Sequence, residues 1–389
     1  MSQLLESRWS ETKEALLEGL QGNKRSVMAT TLENTRKYLA ESATAGATSS
    51  GNVATLNRVI LPVIRRVMPT VIANELVGVQ PMTGPVGQIH TLRVRYSDSF
   101  NSTNGTDTTA GDEALSPFKI AEGYSGATTG KPAATSALEG VAGNKLSIQI
   151  LKQTVEAKTR KLSARWTFEA AQDAQAQQGI DIEAEIMAAL AQEITAEIDQ
   201  EVLRSLATLS STVLTYDQAA VSGTATFVGD EHAALAVQIN RAANLIAQRT
   251  RRGAGNWAVV SPTTLTLLQS ATTSAFARTT EGTFEAPTNT KFVGTLNSAM
   301  KVYVNTYAEN DNVLVGYKGS SESDAAAFYC PYIPLMSSGV VLDPSTFEPV
   351  VSFMTRYGYV ELTNTASSLG NAADYLATVA VTSANLRFA

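Results

Sequence analysis

Between Asp181 and about Ala207 the chain carries its strongest helical pattern, and the placement of its apolar residues limits what can surround it. Ile182, Ile186, Leu190, Ile194, Ile198, Val202 and Leu206 recur every four residues. An α-helix turns about every 3.6 residues, so each step of four advances the apolar stripe by about 40°. A bundle helix keeps one face inward, whereas a rotating face must meet different neighbours at its two ends. With Asp181 as N-cap, the helix spans about 40 Å at roughly 1.5 Å per residue. The pattern predicts a spine that crosses a thin, extended domain.

Upstream, residues 88 to 96 alternate, with Gln88, His90, Leu92, Val94 and Tyr96 on one side and Ile89, Thr91, Arg93 and Arg95 on the other. A second alternating run, QTVEAKTRKLSARWTF at 153–168, follows a Gly/Ser/Thr/Ala-rich tract from Ser97 to about Gly143. The two runs read as arms of a long hairpin with a mobile tip. A tract of that length inside a compact domain is a functional loop or a segment ordered by a partner.

The N-terminal residues 1 to about 40 place Leu4, Leu5, Trp9, Leu16, Leu17 and Leu20 among charges, as in one or two short amphipathic helices of a detachable segment. ESATAGATSSGN at 41–52 is small and polar and is expected to be a linker. From Glu231 the pattern becomes that of α/β packing. It predicts a helix over 231–250, the turn RRGAGN, the strand WAVV, and a short helix with Ser261 as N-cap and Pro262 at its first position. Strands KVYVNTY, NVLVGY, AFYCPYIPL and VVSFMTRYGYVEL follow.

Composition removes several functions. A single cysteine, Cys330, forms no internal disulfide, and with only His90 and His232 there is no Cys/His zinc cluster. The net charge of -6 has the wrong sign for gripping a phosphate backbone tightly. The most apolar stretch, 59–79, is broken by Pro62, Arg65, Arg66 and Pro69, so no membrane span is expected. The N-terminus lacks the apolar core of a secretory signal.

No motif carries catalytic chemistry. Gly253-Ala254-Gly255-Asn256-Trp257-Ala258 satisfies a dinucleotide fingerprint in spacing, but it joins a helix to a strand, the reverse of what that fingerprint needs. Gly126 to Lys131 is one residue short of a phosphate loop and is followed by Pro132. Glu193, Glu197 and Glu201 fall at i, i+4 on the long helix without a histidine, as in a solvated or intersubunit polar face. His90 is expected to pack with Leu92 and Val94, and His232 to sit in the first turn of a helix. Arg249, Arg251 and Arg252 close a helix where the dipole favours cations. Cofactors are expected to be none.

RRVMPTVIANELVGVQPM at 65–82, GQIHTLRVRY at 87–96 and VEAKTRKLSARWTFEAAQDAQAQQGIDIEAEIMAALAQEITAEIDQEV at 155–202 resemble the T-even-type tailed-phage major capsid proteins. RGAGNWAVVSP, VGYKG, DAAAFYCPYIPL and FMTRYGYVEL continue the resemblance in the expected order, so it covers 65 to 362 with gaps. It implies an α+β, Hong-Kong-97-type capsid fold. The expected parts are an N-terminal segment over 1–41, an N-arm over 42–86 and an extended hairpin, the E-loop, over 87–165. A peripheral domain with the spine helix over 166–228, an axial domain over 229–345, and a return to the peripheral domain over 346–389 complete it.

The implied function is that of a head subunit that assembles with itself into hexameric and pentameric capsomers around packaged double-stranded DNA. The implied partners are neighbouring capsomers, with portal, vertex or cement proteins and a prohead protease, only weak non-specific contact with DNA, and no membrane. The implied location is the virion, after assembly in the host cytoplasm. T-even-type members carry a domain inserted in the E-loop, where this chain has only its Gly/Thr/Ser-rich loop. The family's protease cuts after a Leu-x-Glu-like sequence, which Leu39-Ala40-Glu41 before Ser42 fits, as do Leu4-Leu5-Glu6 and Leu16-Leu17-Glu18. Whether the N-terminal segment is removed stays open at this point. Arg65, Arg66 and Arg356 are candidate interface residues, because arginine is favoured at interfaces. Two alternatives are an encapsulin-like nanocompartment shell, separated by particle contents, and a cytosolic hydrolase, which would lose activity on His90→Ala or His232→Ala.

Overall fold

The spine helix forms where the apolar pattern places it, over Ile182–Leu209, with Asp181 Oδ1 accepting the Glu183 amide at 3.0 Å. The structure is a computed structural model. It describes residues 9, 13, 14, 16, 17, 20, 22–44, 72–103, 107–112, 114, 121–178, 181–210, 212–221, 228–250, 252–270, 276–278, 291–297, 299–322, 324–346, 348–362, 372–382 and 386.

In chain order the helices are α1 (Gly22–Thr44), α2 (Ala73–Leu76), α3 (Thr135–Leu138), α4 (Phe168–Gln178), α5 (Ile182–Leu209), α6 (Gln218–Val221), α7 (Val228–Thr250) and α8 (Pro262–Ser270). The strands are β1 (Gly78–Val79), β2 (Val86–Tyr96), β3 (Leu146–Glu156), β4 (Lys158–Arg165), β5 (Thr212–Tyr216), β6 (Trp257–Val260) and β7 (Phe276–Arg278). They continue with β8 (Lys291–Leu296), β9 (Met300–Val304), β10 (Val313–Gly316), β11 (Ala327–Ser337), β12 (Val341–Leu342), β13 (Pro349–Glu361) and β14 (Leu376–Val381). Helix and sheet are both substantial, as the α+β expectation requires. Two units divide the chain: residues 1–87, 155–205 and 327–360 form the first, and 88–154, 206–326 and 361–389 the second.

The first unit is built on a five-stranded sheet in which β11 lies between β1 and β13, and β13 also pairs with β12 and β4. Alternation along β13 sends Val351, Phe353, Thr355 and Tyr357 inward, all at most 5 % exposed. Strand β11 is buried along nearly its whole length and holds Cys330, the chain's only cysteine. The face of α5 that lies in this unit buries Leu190, Ile194, Ile198 and Val202.

The N-terminal segment is not detachable in the way its sequence suggests. Helix α1 packs on β11 and buries Val27, Met28, Thr31 and Leu32. Two asparagines fix it: Asn34 Nδ2 donates to the carbonyls of Met82 at 2.7 Å and Tyr332 at 3.0 Å, and Asn23 Nδ2 to that of Val79 at 3.4 Å. Lys24 Nζ meets Glu75 at 2.5 Å. The expected linker at 41–52 begins inside this helix, which runs on to Thr44. A helix thus covers backbone carbonyls that would otherwise edge the sheet.

The second unit contains a seven-stranded sheet in the order β5-β14-β10-β6-β9-β8-β7. Leu235, Ile239 and Ile246 of α7 and Leu267 and Leu268 of α8 pack on Val260, Val302, Val315 and Val379 of the sheet. Ser261 Oγ accepts the Thr264 amide at 3.1 Å, so the predicted N-cap forms. Gly316 is forced, because a Cβ there would enter the ring of Trp257 on the paired strand. The division differs from the sequence expectation on the C-terminal side. Residues 327–345, placed by sequence in the axial lobe, belong to the first unit because β11 and β13 share a sheet. Residues 361–389 belong to the second, because β14 pairs antiparallel with β10 and parallel with β5.

Strands β2 and β3 form a separate two-stranded sheet. The partner of β2 is therefore 146–156, and KTRKLSAR at 158–165 pairs instead with β13, Lys158 against Tyr357 and Arg165 against Val350. Both runs alternate, so periodicity alone could not choose which of them closes the hairpin.

Candidate assembly interface

The hairpin is built from the strand ends outward. Each strand has eleven residues, and just beyond their ends the Ser97 amide donates to the Lys145 carbonyl at 2.9 Å. Ser147 Oγ also donates to the Arg95 carbonyl, at 3.5 Å. The strands therefore run end to end, with Tyr96 across from Leu146 and Val94 across from Ile148. Val94, Tyr96, Leu146, Ile148 and Ile150 thus share one face. Leu146, Ile148 and Ile150 are 56%, 68% and 66% exposed. A run of large aliphatic side chains left in water on a two-stranded sheet, which is marginal alone, is a candidate for cover by another chain.

The described residues of the tip beyond the strands are organised, where the sequence suggests a mobile loop. Tyr124 is buried, with its ring 4.6 Å from that of Tyr96 and 6.0 Å from that of Phe100, measured between centroids. Its hydroxyl donates to the Lys145 carbonyl at 2.6 Å and accepts the Asp98 amide at 3.2 Å. Phe100 and Thr108 exchange backbone hydrogen bonds at 2.8 Å, and the Thr103 amide reaches the Thr128 carbonyl at 2.8 Å. A Gly/Ser/Thr-rich composition hides this order, since most of the bonds are made by backbone, with short polar side chains such as Asp98, Ser99 and Asn144 adding to those of Tyr124.

A second apolar tip, Val340, Val341 and Leu342, projects between β11 and β13 of the first unit. On that unit's surface Arg160 of β4 places Nη1 2.7 Å from Glu197 and Nη2 2.6 Å from Glu201, and its Nε donates to the Tyr357 hydroxyl at 2.6 Å. Tyr357 in turn donates to Glu201. The i, i+4 acids, expected to form a solvated or intersubunit face, thus have two members bound within the chain.

The sequence-predicted residues fall as follows. Arg65 and Arg66 lie outside the described residues. The Arg356 guanidinium sits 5.3 Å from the centroid of the Tyr332 ring, a cation–π contact within one subunit. Glu41 and Ser42 lie in the last turn of α1, with helical backbone. His90 is exposed on β2 rather than packed. His232 is buried in α7, and burial lowers its basicity. Its Nδ1 pairs with Ser270 Oγ at 2.5 Å, and among the described residues its Nε2 has no hydrogen-bond partner. The Gly253–Gly255 turn joins α7 to β6 as expected, and Arg252 of that turn pairs with Asp324 at 2.7 Å. Among the described residues no helix is long and apolar enough to cross a membrane. Sequence reasoning missed the stripe on β3, although Leu146, Ser147, Ile148, Gln149 and Ile150 alternate strictly.

The family model described as major capsid protein Gp23 matches residues 53–383. The major capsid protein of Vibrio phage KVP40 is 30% identical over 421 residues, covering 85% of this chain and 82% of that one. That of Enterobacteria phage T4 is 29% identical over 410 residues, covering 82% and 78%. A solved structure titled "The capsid of Myoviridae Phage XM1" aligns with TM-score 0.45 and 11% identity over 79% of this chain and 91% of that chain. The extended hairpin, the spine helix and the α/β lobe are the parts of the Hong-Kong-97-type plan that the resemblance implies. With most of its length matched by one family model, the chain belongs to the Gp23 major capsid protein family.

Proposed function

We propose that the chain is the shell subunit, the major capsid protein, of a tailed-phage icosahedral head, and that its work is association. The observation that carries this reading is the uncovered apolar face of the β2–β3 hairpin, three aliphatic side chains more than half exposed on a sheet too small to stand alone. In this reading the hairpin of one copy lies across the spine-helix region of the next, and copies close into hexameric and pentameric capsomers around packaged double-stranded DNA. Charge supports that pairing, since the hairpin exposes Lys145 and Lys152 while α5 exposes Glu193, the member of the acidic row that Arg160 does not engage.

Contact with DNA is weak and non-specific on this reading, because a chain of net charge -6 is not held by phosphates. Assembly takes place in the host cytoplasm and the product is the virion shell, met by portal, vertex or cement proteins. A prohead protease reaches the Glu41–Ser42 bond only when the last turn of α1 unwinds, so intact mass from mature virions beginning at Met1 would refute removal of the segment.

Sedimentation velocity on the purified full-length chain over a range of concentrations tests the central claim. Hexamers, pentamers or closed shells are expected. A chain that stays monomeric at every concentration, also when produced together with the scaffold and chaperone such subunits can need, overturns it.

A further inference from the structure

Asp199 stands on the buried face of α5, 1 % exposed, where a helix in a shell subunit has no ordinary use for an acid. Its Oδ1 accepts the backbone amide of Ile72 at 2.8 Å, at the head of the turn that forms α2. Its Oδ2 is buried and has no hydrogen-bond partner among the described residues. The segment it holds is itself buried, with Ile72, Ala73, Leu76 and Val77 all at most 4 % exposed. One amide is poor compensation for a full negative charge in such surroundings, whereas a neutral carboxyl leaves only one oxygen unsatisfied.

We propose that Asp199 is a proton-operated latch: neutral, it fastens the segment 72–77 to the spine helix; charged, it lets that segment open. The proposal concerns one unit of the chain and does not rest on how copies assemble.

Among the described residues, the titratable groups around it leave the role to Asp199. Burial pushes its carboxyl up from 3.8 to about 7, against the pull of the Ile72 hydrogen bond. From β11 it is faced by Tyr329, held far above its ordinary value by burial; the next residue, Cys330, is pushed up to about 11 by burial. Tyr357 of β13 is raised by burial and by its hydrogen bond to Glu201, while Arg160 is engaged by Glu197 and Glu201. On the segment itself Glu75 is paired with Lys24 of α1. The tyrosines and the thiol stay neutral across the range in which Asp199 changes charge.

The sign follows from linkage. In an opened segment the carboxyl meets water and titrates near its ordinary value, about 3.9. Between about pH 4 and 7 the open form loses its proton while the closed form keeps it, so each pH unit favours opening by up to tenfold; above about 7 both forms are charged and the effect levels off.

Hydrogen–deuterium exchange on the purified full-length chain from pH 5 to 8, corrected for intrinsic exchange rates, tests the latch. Protection of the amides of Ile72 to Val77 is expected to fall by close to tenfold per pH unit up to about 7 and then level. Amides of β6, in the other unit, serve as the reference and should not follow this course. In Asp199→Asn, which keeps the acceptor oxygen and cannot charge, protection should be independent of pH. A flat profile in the unaltered chain overturns the proposal, as does the same fall in Asp199→Asn; should that variant not fold, the unaltered chain's profile decides alone.

Discussion

Replacing Ile148 by aspartate separates assembly from folding. Ile148 is 68% exposed in the single chain, so its replacement removes little from the subunit's own core. If the hairpin face is covered by a second copy, that contact loses the burial of about two-thirds of an isoleucine, worth about 1–2 kcal/mol. It also acquires a carboxylate without a partner, which adds about 1–3 kcal/mol or more. The sum is about 3 kcal/mol per contact, over a hundredfold in the association constant. If every subunit offers one hairpin and receives another, the loss recurs at each contact of a closed ring. Sedimentation velocity should show smaller species at concentrations where the unaltered chain assembles, with thermal unfolding of the unassembled chain within about 0.5 kcal/mol. Gln149→Asp places the same charge on the opposite, exposed face of β3 and should assemble nearly as before. Equal assembly by Ile148→Asp and the unaltered chain would refute the reasoning, as would equal impairment by Gln149→Asp.

Three further outcomes follow from the structure. Asn34→Ala leaves the Met82 and Tyr332 carbonyls without their side-chain donor, and should lower stability by about 1–3 kcal/mol in chemical unfolding, with proteolysis of α1 accelerated. Arg160→Ala should cost only about 1 kcal/mol, since its acids are more than a third exposed and screened, and a double-mutant cycle with Glu201→Gln should give a coupling of the same size. A carboxyl raised from 3.8 to about 7 by folding takes up a proton on folding, so stability is highest below about pH 4 with respect to this group. It should decline by about 4 kcal/mol as pH rises to about 7 and not beyond, at about 1.36 kcal/mol per pH unit. Denaturant titrations of the unaltered chain and Asp199→Asn across that range give the difference.

What could be read from sequence was local. The four-residue rhythm of Ile182 to Leu206 marks a helix because one helix determines it, and Ser261-Pro262 marks a helix start because capping needs only neighbours. The turn at Gly253–Gly255 is legible for the same reason. Partner choice was not legible: 146–156 and 158–165 both alternate, and only pairing with β13, almost two hundred residues on, assigns the second to another sheet. The C-terminal strand β14 was not read from sequence, and nothing local to it names the unit that receives it. Helix α1 escaped as an integral element because two asparagines and the few apolar side chains Val27, Met28 and Leu32, rather than a wide apolar stripe, attach it. Within the interface, Leu146, Ile148 and Ile150 carried an alternation that the preceding Gly-rich tract obscured. Acids on helices read as surface, which conceals both the Arg160 network and the buried Asp199.

The burial of Cys330 makes it a clock. A thiol held near 11 in the middle of β11 is almost wholly uncharged at neutral pH, and the thiolate is the form that reacts. A thiol reagent added to the native chain can therefore be consumed only as fast as the five-stranded sheet opens around that residue. Each chain has one such group, so the label is counted without ambiguity. In a particle of many identical copies, the time course of labelling would resolve whether subunits open independently, as a single exponential, or whether the lattice makes its members yield together.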